Sequence, residues 1–148
     1  MVILVDLEPG DDRLEREVLP VLQELRTHLT PEDFAAVYEE GYPQGLRYLA
    51  AYDGARCLGV AGWRILATTA TIRKLYVDDL VTAAAQRNHG IGARLLAELH
   101  ERAVASGCQV MDLDSGVERA DAHRFYMRQG LVITSFHFAR PGMADPVG

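Results

Sequence analysis

One junction constrains this 148-residue chain more than any other feature. The run Arg87-Asn88-His89-Gly90-Ile91-Gly92 lies between a β-rich segment, residues 72–82, and an amphipathic helical pattern, residues 93–105. A strand, a turn with two glycines and then a helix start form an anion site. The N–H groups of a first helical turn are unpaired, the helix dipole adds partial positive charge, and glycines let a phosphate reach the main chain. The ligand expected there carries a phosphate or pyrophosphate.

The flanking segments give the element order. Residues 1–7 read as a strand ended by Glu8-Pro9-Gly10. From Asp12 the spacing turns helical, with Leu14, Val18, Leu22, Leu25 and Leu29 on one stripe and Pro20 inside it as a kink or split. Thr30-Pro31-Glu32-Asp33 reads as a second helix start: a threonine cap, proline at the first position, then acids favoured by the dipole. Residues 46–52 and 56–66 are β-rich and joined by Asp53-Gly54, a hairpin turn signal, and 72–82 completes an antiparallel meander. In that third strand Leu75 and Val77 alternate on one face while Leu80 falls out of phase, which predicts a β-bulge at Asp78-Asp79. Then come a central helix with Ile91, Leu95, Leu96, Leu99 and Ala103 inward and a short buried strand at 110–113. A short helix at 121–129, closed by Gly130, leads to a last strand at 131–138. The order β-α-α-β-β-β-α-β-α-β indicates one α/β domain over residues 1–140 with a mixed sheet, followed by a tail at 141–148.

Charge and cysteine usage narrow the function classes. A formal net charge of −6 and the lack of a dense Lys/Arg cluster argue against a nucleic-acid surface. No apolar run reaches the length of a bilayer span and no leader pattern opens the chain, so membrane insertion and secretion are not expected. Cys57 and Cys108 have neither metal spacing nor a disulfide framework, which points to a cytoplasmic protein with inert thiols. His28, His89, His100, His123 and His137 show no metal-ligand spacing, and no metal is expected.

Three phosphate motifs compete for the glycine turn. A nucleotide P-loop requires Gly-Lys-Ser/Thr, but Gly92 is followed by Ala93-Arg94. A dinucleotide fingerprint requires a third glycine where Leu95 stands. What is left is Arg87-x-x-Gly90-x-Gly92 after a bulged strand. Residues 80–96 and the run Ala122-His123-Arg124-Phe125-Tyr126-Met127-Arg128-Gln129-Gly130-Leu131 together resemble the two signatures of the GNAT superfamily of acyl-CoA-dependent N-acyltransferases.

The resemblance implies that family's fold, a mixed and mainly antiparallel central sheet with helices on both faces. It also implies acetyl-CoA as acyl donor. Main-chain groups of Leu80, Val81 and Thr82 would pair with the pantetheine arm, which can add to an exposed strand edge. Arg87 and the N–H groups of Asn88, His89, Gly90, Ile91, Gly92 and Ala93 would cradle the pyrophosphate. Tyr126 matches the family's tyrosine acid; a phenol stays protonated at neutral pH and can return a proton to a leaving thiolate. The amine must first lose a proton, through a carboxylate or a water relay, and Asp78 or Asp79 at the bulge is the candidate to accept it or to bind a cationic acceptor, with no basis for choosing between them. The bulge N–H of Leu80 is the candidate oxyanion donor. Family members often have Pro at Ala84, Val at Thr82, Phe at Leu131 and Asn at Arg119, and the last departure leaves the role of Arg119 open.

The expected activity is transfer of an acetyl group from acetyl-CoA to a primary amine of a small molecule or peptide by direct attack. The acceptor rim is expected from Tyr38, Glu39, Glu40, Tyr42, Asp79, Asp114 and Ser115. The alternatives are a non-catalytic acyl-CoA-binding domain on the same fold and, more distantly, a nucleotide-binding regulatory domain. The apolar positions of the last strand make a homodimer a candidate assembly.

Overall fold

Pro20 is the first local decision the chain makes. In the computed structural model, which describes residues 1–143, the expected long first helix is broken there. Proline carries no N–H, so it cannot close the usual bond to the carbonyl of Arg16. The backbone runs instead as a π-helical turn, Leu14–Val18, in which the Leu19 N–H reaches back five residues to the Leu14 carbonyl, before tightening into α1 (Leu19–Leu22). α2 (Pro31–Gly41) starts as its sequence predicts, with the Thr30 hydroxyl accepting from the Asp33 N–H at 3.1 Å. Thr30→Ala should lower stability by about 1 kcal/mol, read as a shift in the chemical unfolding midpoint with an unchanged slope.

Five strands form one sheet in sequential order, β1 (Val2–Leu7), β2 (Arg47–Asp53), β3 (Arg56–Thr68), β4 (Ile72–Thr82) and β5 (Val110–Leu113). The first four pair antiparallel, and β5 joins β4 in parallel after the crossover through α3 (Ile91–Ala105). The β2–β3 turn places Gly54 in the left-handed region, φ 61°, as the Asp-Gly signal requires. α4 (Ala120–Arg128) follows β5.

Helices cover both faces. Leu14, Val18, Leu22, Phe34 and Tyr38 pack with Tyr48, Ala50 and Val60 on one side of the sheet. Ile91, Leu95, Leu96 and Leu99 pack with Leu49, Leu75, Val77 and Leu80 on the other. That Leu80 shares a face with Leu75 and Val77 is the work of the bulge: Gly62 faces Asp79 and Trp63 faces Val77, so Asp78 is the unpaired extra residue.

Two expectations are corrected. Residues 110–113 do form a strand, but it is a half-exposed sheet edge rather than a buried one. Residues 131–138 form no strand within the chain, and Val132, Ile133, Phe136 and Phe138 are 76%, 72%, 85% and 92% exposed. Periodicity specifies a face and not a neighbour; a segment patterned for a sheet stays unpaired when no main chain lies at bonding distance. The tail at 141–148 is described only to Met143, which is exposed.

Candidate active site

The site begins where two strands part. β5 is paired with β4 over Lys74 to Val77 only, and the bulge at Asp78 follows immediately. Beyond it β4 has a neighbour on one side alone. The Ala83 N–H donates to the Leu58 carbonyl at 2.9 Å. Antiparallel pairs alternate between bonded and non-bonded, so Val81 faces Val60 in a bonded pair. Leu80 and Thr82 therefore turn their N–H and C=O groups away from β3, into the gap. Val81 contributes its position in the groove wall rather than its N–H.

The next turn leaves main-chain N–H groups free. Asn88 and Gly90 both lie in the left-handed region, φ 67° and 78°, and this aims the chain into α3. No side chain caps that helix. Its first internal bond runs from the Arg94 N–H to the Gly90 carbonyl at 3.0 Å, which leaves the N–H groups of Ile91, Gly92 and Ala93 without intrahelical acceptors. Glu24, just past α1, accepts from the Ala84 N–H at 2.9 Å, and the same oxygen lies 4.0 Å from the Arg87 guanidinium. The exposed Arg87 is thus held loosely at the mouth.

These groups line one groove of about 980 Å³, closed on its far side by Arg119, Phe125 and Tyr126. Leu80, Val81, Thr82, Arg87, Asn88, Gly90, Ile91, Gly92 and Ala93 all line it, and His89 does not. The His89 N–H is directed at the Gln86 carbonyl at 3.3 Å, and its ring stands 3.4 Å from the Gln86 side chain. A Cβ on Gly92 would lie 3.1 Å from the Phe125 ring and 3.5 Å from the Thr82 hydroxyl, so the ring would have to give by a few tenths of an ångström. Tyr126 stacks edge-on against Phe125 at 5.5 Å and packs on the core beneath α3.

The two bulge carboxylates have different partners. Asp78 is held by Arg64 through two bonds of 3.0 and 2.9 Å. Asp79 accepts from Arg26 at 2.8 Å and from the Tyr48 hydroxyl at 3.2 Å. Burial, reinforced by the Asp79 charge, pushes the Tyr48 phenol far up, so it remains a donor at every physiological pH. Gly62 makes this contact feasible, since a Cβ would come within 2.8 Å of the Tyr48 ring and 3.0 Å of the Asp79 carboxylate. Gly62→Ala should cost about 1–3 kcal/mol of stability, measurable by urea unfolding. Arg26, Arg64 and Tyr48 gave no signal in the sequence, because they reach the bulge from 53, 14 and 31 residues away.

The expected acceptor rim is only partly assembled. Tyr38 is a core residue, its hydroxyl donating to the Leu7 carbonyl and accepting from the Tyr48 N–H, and burial raises its phenol to about 12. Asp114, beyond β5, instead binds a tyrosine absent from the expectation, Tyr76, at 2.7 Å. Cys57 is a free thiol that burial pushes up to about 11, in keeping with an inert role. Among the described residues no cluster of three or more His, Cys, Asp or Glu side chains is arranged to hold a metal ion, and no helix is long and apolar enough to cross a membrane.

Known proteins share both sequence and shape. A profile described as the Acetyltransferase (GNAT) family matches residues 13–131. An uncharacterized N-acetyltransferase of Bacillus subtilis is 33% identical over 131 residues, covering 84% of this chain and 89% of the relative. An aminoalkylphosphonate N-acetyltransferase of Salmonella typhimurium is 36% identical over 64 residues, 43% of this chain and 42% of its own. The fold superposes on an aminoglycoside N-acetyltransferase in complex with CoA at a TM-score of 0.84, with 13% identity, covering 97% of this chain and 96% of that one.

Proposed function

The chain belongs to the GNAT acetyltransferase family, and on that basis we propose that it transfers an acetyl group from acetyl-CoA to a primary amine of a small molecule or peptide by direct attack. The observation that carries this reading is the groove itself. Free main-chain groups on β4 and an uncapped α3 N-terminus lie along one continuous cleft. An extended amide-rich arm fits the first and a diphosphate the second. Acetyl-CoA supplies the activated thioester; the remaining work falls to this chain's residues.

The Leu80 N–H, freed from pairing at the bulge, is the donor for the oxygen that gains charge during attack. Tyr126, on the opposite wall, returns a proton to the departing sulfur. Of the two acids, Asp79 is the better candidate to take the amine's proton. Its partner Arg26 is half-exposed on the loop after α1, where it bonds the Asp79 carboxylate and the Asp78 carbonyl, whereas Asp78 takes two bonds from the less exposed Arg64. A name that specifies an aminoalkylphosphonate acceptor, on a relative alike over 64 residues, supports a small amine over a protein.

Calorimetric titration with acetyl-CoA, followed by an amine screen that reads release of free thiol, tests this. Micromolar binding with turnover on an amine is the expected result. Binding with no turnover on polyamines, amino acids, aminophosphonates or peptides would favour a non-catalytic acyl-CoA-binding domain instead.

A further inference from the structure

Two donors reach the Asp79 carboxylate, and they come from opposite surroundings. Arg26, half-exposed, bonds one oxygen at 2.8 Å from the loop after α1. Tyr48, buried on β2, bonds the other at 3.2 Å. The tyrosine is fixed at both its main chain and its ring. Its N–H donates to the Tyr38 hydroxyl at 3.3 Å, and that hydroxyl in turn donates to the Leu7 carbonyl. Its ring lies edge-on to Phe34 at 5.3 Å and to Tyr38 at 4.9 Å, both on α2. Gly62 on β3 leaves the space in which the tyrosine and the carboxylate meet. Burial keeps the phenol protonated, so the hydroxyl always has a proton to give.

We propose that Tyr48 is a positioning residue for acyl transfer, its hydroxyl holding the Asp79 carboxylate in the orientation from which it takes the amine's proton. This rests on the acetyl-transfer reading and on Asp79 as the base. Tyr48 suits the role better than Arg26 does. Arg26 is 45% exposed and divides its donors between the Asp79 carboxylate and the Asp78 carbonyl, and an exposed ion pair exchanges its bonds with water at little cost. Tyr48 is 3% exposed, so it acts through Asp79 rather than on a substrate. The bond does not use up the base: a carboxylate oxygen has two lone pairs, and the one left over can accept from the amine. Orientation matters because proton transfer requires hydrogen-bond reach, and a small displacement of the base costs rate.

A double-mutant cycle on the full chain tests the role. Steady-state rates are measured with acetyl-CoA and whichever of spermidine, lysine, 2-aminoethylphosphonate or a lysine peptide turns over fastest. Tyr48→Phe should lower kcat by about tenfold and leave KM for acetyl-CoA within about twofold. Asp79→Asn should lower kcat further than that. The double variant should be within about twofold of Asp79→Asn alone, because a group that acts through Asp79 has nothing left to act on. Gly62→Ala, whose Cβ crowds the same pair, should show the same dependence on Asp79 and stands in if Tyr48→Phe does not fold. An unchanged kcat in Tyr48→Phe would overturn the proposal, and so would an equal loss with and without Asp79, which marks a purely structural role. Failure of the underlying reading looks different: either no amine turns over, or Asp79→Asn is as fast as the parent, and the proposal then falls with it.

Discussion

Tyr126→Phe is expected to lower kcat for acetyl transfer by about 100- to 1,000-fold while changing the affinity for acetyl-CoA by less than about twofold. The substitution keeps the ring that packs against Phe125 and the core beneath α3, so the fold has little reason to respond. What disappears is one hydroxyl on the groove wall. If that hydroxyl protonates the leaving sulfur, its loss acts on the transition state alone and appears in kcat. Single-turnover measurements with saturating acetyl-CoA would check this. An unchanged kcat would remove Tyr126 from the mechanism and leave the groove as a binding site.

Gly92→Val is expected to weaken acetyl-CoA binding by about 100-fold, close to 2.7 kcal/mol, measured by calorimetry. The first added carbon already meets the Phe125 ring at 3.1 Å and the Thr82 hydroxyl at 3.5 Å, and two further methyl groups would crowd the stretch of groove that Gly92 lines. The φ of Gly92 is ordinary, so the helix itself can accept valine. A folded variant that binds as tightly as the parent would show that the phosphate contact lies elsewhere. The two substitutions separate the roles: one removes chemistry with binding intact, the other removes binding.

Much of the groove's local geometry was legible because its parts are close together in sequence. The bulge was visible as a phase slip among Leu75, Val77 and Leu80, and the structure places the extra residue at Asp78. The turn with free N–H groups was visible because those groups belong to consecutive residues. His89 was the exception: glycine spacing cannot show which N–H a turn uses internally. Tyr38 was misplaced on the rim because its period fits a surface helix position as well as a core one. Only the fold puts the Leu7 carbonyl beside its hydroxyl. The pairing of Asp79 with Arg26 and Tyr48 had no local trace at all.

Sequence by itself determined the elements as far as α4, their order, the bulge and the helix start with free amides, since each depends on dihedral preference and periodicity among neighbours. Tertiary structure alone decided that Arg64 holds one bulge carboxylate while Arg26 and Tyr48 hold the other, which wall of the groove Tyr126 occupies, and that the last β-patterned segment goes unpaired. Those outcomes depend on distances between residues far apart along the chain, and no short-range pattern encodes such a distance.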